Sequence, residues 1–199
     1  MTSRREQQRL ETRQRLYTAA LQIFRRDGYN ECSIEEIAKL AGVSRGTFYF
    51  HFPTKEAVLE ALFVDAEAAF VDEIVSLDDQ TAIEGVLDTA AAAMARRWSV
   101  EPQLWQAVGL VALRSTAERL NAEPRGIRAE LGRRFALAAE RQEVSALVTP
   151  QVLADFYLAN AFAVAVSWST APTHPLETVL TGAAYLFLHG VKNPTPLAP

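Results

Sequence analysis

The sequence predicts an all-α protein of about nine helices, and three observations carry that reading. Between the nine prolines, at 53, 102, 124, 150, 172, 175, 194, 196 and 199, apolar residues recur with helical rather than alternating spacing. Pro53, Pro102, Pro124 and Pro150 each stand at or just before such a segment, where a missing N–H costs little. No pair of long alternating segments is joined by an Asn-Gly or Asp-Gly turn, as a hairpin would require. Helices are expected at about residues 8–27, 34–41, 45–51, 54–77, 81–98, 103–116, 125–143, 150–169 and 175–190. They divide into a three-helix unit at 1–53 and a helical body at 54–191, followed by a flexible Pro-rich tail at 192–199.

The chain has 199 residues, 49% of them hydrophobic and 22% charged, which suits a globular core and excludes disordered or fibrous classes. One cysteine, Cys32, allows no internal disulfide, and His51, His174 and His189 are too far apart for a zinc motif, so neither a metal nor a cofactor is expected. The arginine-rich N-terminus has no apolar leader segment, and no run of about 18 residues is uninterrupted by polar groups. A cytoplasmic protein without membrane attachment is the expectation. The net charge of −4 is unevenly spread. Residues 1–55 hold ten Lys/Arg against six Asp/Glu, while the rest of the chain holds ten against eighteen. A basic module on an acidic body is the electrostatic pattern of a nucleic-acid reader, and equally of an ordinary solvated imbalance.

The first helix carries Leu16, Ala19, Ala20, Ile23 and Phe24 on one stripe and leaves Arg13, Arg15, Arg25 and Arg26 outside it. Gly28 falls at the position past a helix end that accepts positive φ. Ser33 and Glu36 have capping-box spacing and start a second helix, whose apolar face is Ile34, Ile37, Ala38 and Ala41. Gly42 ends it, Val43 fills the wedge, and Ser44 caps a short third helix. The result is a helix-turn-helix, in which the second helix of the pair enters a DNA major groove with its N-terminal residues nearest the bases. Phe48 turns to the core there, leaving Arg45, Gly46, Thr47, Tyr49 and His51 outward. Arginine can pair bidentately with guanine, threonine can meet a base edge, and tyrosine and histidine can reach phosphates. Phe50 and Phe52 are assigned to packing, and Arg4, Arg5, Arg9 and Arg13 to a flexible basic arm.

The run SIEEIAKLAGVSRGTFYFHFPTKEAVLEAL, from Ser33 to Leu62, resembles the DNA-binding signature of the TetR (tetracycline-repressor-like) family of bacterial transcriptional regulators. The resemblance rests on Ile37-Ala38, Ala41-Gly42-Val43-Ser44, Phe48-Tyr49, His51-Phe52 and Lys55-Glu56, and it covers about thirty residues. It implies that Arg45, Gly46 and Thr47 lie against base edges and that Tyr49, His51, Lys55 and Ser33 contact phosphates. With Ser44 at the head of the third helix, these form the expected DNA-binding set. Glu35 departs from this pattern, an acid where the DNA backbone should pass. The resemblance also implies a helical body that binds a ligand and dimerises through the last two helices.

In the body, the segments 152–168 and 179–191 are apolar nearly all round and need burial on more than one side. Ala159, Ala163, Gly182, Ala183 and Ala184 would admit a close helix from a second copy, and burial within one chain is the competing explanation. Large side chains around the break at Pro102 are candidates to wall a ligand cavity: Met94, Trp98 and Trp105, with Phe63, Phe70 and Tyr157, and Arg114 or Asn160 as a polar handle. Core packing is the competing role for each, and a hydrogen bond across the dimer for Asn160. The whole reads as a homodimeric, ligand-responsive DNA-binding regulator, a repressor released from a palindromic operator by a small, largely apolar molecule. An effector-independent architectural or nucleoid-associated DNA-binding protein is the alternative. An enzyme is not expected, since no nucleophile triad, metal motif or phosphate loop occurs.

Overall fold

The computed structural model describes residues 3–114 and 122–192, with side chains to His189. Among the described residues the structure is all helical: α1 (Arg4–Asp27), α2 (Ile34–Leu40), α3 (Arg45–His51), α4 (Glu56–Val75), α5 (Ile83–Val100), α6 (Pro102–Arg114), α7 (Gly126–Glu140), α8 (Pro150–Thr170) and α9 (Leu176–Lys192). The expected end of the sixth helix beyond 114 and the tail beyond Lys192 lie outside the described residues. Contacts divide the chain into one unit at residues 1–63 and another at 64–199. This division falls inside α4 rather than at its start, because the first turns of α4 bury Val58 and Leu59 completely.

In the first unit α1 begins four residues earlier than its apolar stripe suggests. Ser3 Oγ accepts from the Glu6 N–H at 3.2 Å, and Glu6 then holds the Arg9 guanidinium at 2.7 Å. The expected flexible arm is therefore corrected to helix, because a serine cap and an i,i+3 ion pair support a first turn with no core beneath it. Gly28 takes φ 87 and donates to the Phe24 carbonyl at 3.0 Å, closing α1. Ser33 and Glu36 form the capping box of α2. Gly42, at φ 67, makes the turn, and the Val43 N–H returns to the Ala38 carbonyl at 2.9 Å. The core beneath is Leu16, Ala20, Ile23, Phe24, Ile37, Ala38, Phe48 and Phe52.

The second unit has two apolar clusters. One joins Ile74, Ile83, Leu87, Leu131, Phe135, Tyr157 and Leu188 from α4, α5, α7, α8 and α9. The other joins Ala91, Ala95, Trp98, Ala161, Ala165, Leu176 and Leu180. The small residues let α5, α8 and α9 approach closely around the Trp98 ring. Arg134 is 2% exposed, yet well partnered: Nη2 donates to the Ile74 and Leu77 carbonyls at 2.7 and 2.8 Å, and Nη1 to that of Asp78 at 2.8 Å. Nε meets Glu130 at 2.9 Å. A buried cation thus satisfies the orphan carbonyls at the end of α4. Helical spacing places Arg134 on the stripe of Ile127, Leu131, Phe135 and Ala138 and its neighbour Arg133 off it, so the sequence carried a signal for its burial but none for its partners.

Candidate nucleic-acid interface

The outer surface of the helix-turn-helix is built by its caps. Ser44 Oγ accepts from the Thr47 N–H at 3.1 Å and lies 2.9 Å from the Thr47 hydroxyl, which fixes the first turn of α3. Ser44, Arg45, Gly46 and Tyr49 are exposed on that turn and the next, and Thr47 is half-buried. Gly46 meets nothing nearer than the Ser44 hydroxyl where a Cβ would stand, leaving backbone accessible for close approach. Phe50 is 73% exposed, which corrects its assignment to packing: Phe48 on α3 and Phe52 just past its end take the buried positions, and Phe50 falls on the opposite face. Its ring meets that of His51 edge-on at 5.1 Å.

Arg45 has two partners. Nη1 forms an ion pair with Glu35 in the first turn of α2, and Nη2 donates to the Tyr49 hydroxyl at 3.2 Å. The guanidinium carbon lies 5.6 Å from the centre of the Tyr49 ring. The acid that departs from the family pattern is thus directed at the arginine expected to read a base.

Two expected phosphate contacts have structural work as well. The Lys55 ammonium donates to the carbonyls of Tyr29 at 2.7 Å, Cys32 at 3.1 Å and Asn30 at 3.4 Å, and stands 4.5 Å from the Tyr29 ring centre. An ammonium has three N–H donors, and all three have an acceptor in the loop before α2. Arg13 Nη1 donates to the His51 carbonyl at 2.6 Å and lies over the Phe52 ring at 4.1 Å, capping the end of α3. Burial holds the His51 imidazole below its ordinary pKa, and the Arg13 and Arg9 charges push the same way. Half-buried Ser33 faces its own cap, with Oγ donating to Glu36 at 3.0 Å.

The expected ligand contacts of the body are divided between its two apolar clusters and its surface. Phe63 belongs to the N-terminal unit. Phe70 packs on the first cluster of the body, where Tyr157 is buried and donates its hydroxyl to the Leu87 carbonyl at 3.1 Å. Burial drives the Tyr157 pKa well above the ordinary phenol value. Met94, Trp98 and Trp105 belong to the second cluster. Trp98 is 1% exposed and donates Nε1 to Ser169 at 2.6 Å. Arg114 and Asn160 are exposed, with the Asn160 amide donating to the Phe156 carbonyl of its own helix at 3.0 Å. Asn160 sits on the exposed face of α8 with Val152, Phe156, Ala163 and Ser167. On α9 the exposed residues are Glu177, Thr178, Gly182, Tyr185, Leu186 and His189. Among the described residues no group of His, Cys, Asp and Glu could hold a metal ion.

Residues 16–62 match the profile of the bacterial regulatory proteins, tetR family. Over 57 residues, 29% of this chain, it is 42% identical to the HTH-type transcriptional regulator SrpR of Pseudomonas putida, across 27% of that protein. The first curated relatives are matched over 27%, 42% and 14% of their lengths, so this chain spans less than half of each. Likeness in fold extends further. The Thermus thermophilus FadR, a TetR-family transcriptional repressor in complex with lauroyl-CoA, is 28% identical with a TM-score of 0.65, over 94% of this chain and 98% of that one. The fatty acid degradation regulator FadR of Bacillus halodurans is 25% identical with a TM-score of 0.66, over 90% and 95%. Residues 16–62 thus carry a helix-turn-helix sequence of the tetR family, and the described helices share their fold with TetR-family repressors.

Proposed function

We propose that the chain is a homodimeric DNA-binding transcriptional regulator acting in the bacterial cytoplasm, a repressor released from a palindromic operator by a small, largely apolar ligand. The observation that carries the DNA-binding part is the first turn of α3, where Arg45 and Gly46 are exposed and Thr47 is half-buried beside a core that holds Phe48 and Phe52. Ser44 and Tyr49 complete this edge, and His51 and Ser33 are the proposed phosphate contacts. Lys55 is proposed to act on phosphate chiefly by shaping the loop before α2. One half-site read by a seven-residue helix gives little affinity, and two copies about 34 Å apart combine theirs. The exposed apolar faces of α8 and α9 supply the surface for that pairing.

The ligand part rests on family and fold. The T. thermophilus repressor is bound to an acyl thioester, which makes long-chain acyl-CoA compounds, with neutral lipophiles, the first to test. The acidic balance of the body opposes highly charged head groups unless local cations receive them. A second reading, DNA binding without an effector, is supported by the Trp98 ring filling the break where the cavity was expected.

Selection of bound duplexes from a random library, followed by titration of the selected duplex with and without these compounds, tests both parts. Recovery of a palindrome with half-sites one helical turn apart, released by a compound that also changes tryptophan emission, is the expected outcome. Recovery of no preferred duplex overturns the regulator. A preferred duplex whose affinity no compound alters favours the effector-independent reading.

A further inference from the structure

We infer that Glu35 is a specificity-determining positioning residue: with the Tyr49 hydroxyl it clamps the Arg45 guanidinium in one orientation for a guanine edge. This inference rests on the DNA-binding reading above. Glu35 and Glu36 adjoin in the first turn of α2, but their roles separate cleanly. Glu36 closes the capping box with Ser33 and is accounted for. Glu35 has no part in the cap, and its carboxylate is directed across to α3 to take Nη1 of Arg45. Tyr49, one turn along α3, takes Nη2 at 3.2 Å.

A guanidinium carries five N–H donors. Glu35 and Tyr49 engage one on each terminal nitrogen, which leaves the Nε–H and one further N–H on each terminal nitrogen. Those suffice for a bidentate pair with guanine O6 and N7. An arginine on a free stem can swing to a phosphate on any sequence, whereas one held at both terminal nitrogens has lost that freedom before DNA arrives. Holding it reduces the ordering cost on the right site and withholds the alternative contact on wrong ones. The carboxylate also repels the phosphate backbone, but on all sequences alike, so repulsion alone changes affinity and not discrimination.

These two effects separate by substitution. Glu35→Ala removes both the acceptor and the charge, while Glu35→Gln keeps an acceptor for Nη1 and removes only the charge. Both leave the Ser33–Glu36 cap in place, so α2 is not at risk. The measurement is the ratio of affinities for the selected duplex and for a copy with one guanine per half-site replaced, at two salt concentrations. Glu35→Ala is expected to lower that ratio about tenfold, within the range one bidentate base contact supplies. Glu35→Gln is expected to strengthen binding to both duplexes with the ratio preserved within about threefold. In an Arg45→Ala background, Glu35→Ala is expected to leave the ratio unmoved, because there is nothing left to clamp. An unchanged ratio in the single Glu35→Ala variant overturns the inference, as does an effect that persists without Arg45. A wild-type chain that prefers no duplex fails at the earlier step and overturns the regulator itself.

Discussion

A methyl group added at Gly109 would lie 2.6 Å from Cη2 of Trp98 and 2.7 Å from a methyl of Val166. The glycine therefore exists to let α6 approach the indole, and the helix accepts about 1 kcal/mol of unfavourable propensity for it. The Trp98 ring in turn packs 6.1 Å from Trp105 and 6.2 Å from Phe162, centre to centre.

Gly109→Ala is expected to destabilise the body by about 1–2 kcal/mol, overpacking costs of about 1–3 kcal/mol outweighing the gain in helix propensity. Urea unfolding followed by tryptophan emission measures it, since Trp98, Trp105 and Trp168 all lie in the body. A midpoint at or above that of the wild type would show that the ring has room to move.

Lys55→Ala is expected to cost about 1–3 kcal/mol of stability, because three carbonyls of the 29–32 loop lose a charged donor together. The slope of log affinity against log salt should change by less than the value of about 0.9 due to one lost phosphate contact. A full loss of that slope at unchanged stability would instead place the ammonium on the DNA.

The depressed His51 pKa makes stability depend on pH in a definite direction. The unfolded chain takes up this proton first as pH falls below about 6.5, while the folded imidazole resists it. Stability is thus full above 6.5 and falls as pH is lowered toward the folded pKa. Comparison of urea midpoints at pH 7.5 and 5.5 should show the loss, reduced in His51→Gln. A phosphate at His51 would favour the protonated form, so operator binding should be accompanied by proton uptake in the same window, and absence of uptake would place His51 off the backbone.

Ala163→Asp is expected to convert the protein to monomers in sedimentation and to weaken operator binding. Ala163 lies on the exposed face of α8 with Phe156 and Asn160, so a carboxylate there is hydrated in a lone chain and desolvated between two. A stable dimer from this variant would move the interface to another face.

Nearly every helix boundary is legible within a few residues to either side, because the signals that start and stop a helix are local. Ser33 with Glu36, Gly28 and Gly42 act within a few residues of themselves, and no distant partner alters what a cap or a positive φ requires. The exposed edge of α3 was legible for the same reason, since its core positions follow from helical spacing. The partners of long side chains and the filling of space, by contrast, emerge only once the helices are packed. Lys55 reaches a loop 23–26 residues away, Arg134 closes a helix end 56–60 residues away, and Arg45 finds Glu35 across a turn. A flexible stem can serve any acceptor within reach, so only the folded backbone selects one. Large aromatics at a break are equally suited to line a cavity or to fill it, and only the folded chain brings Gly109 against the Trp98 ring.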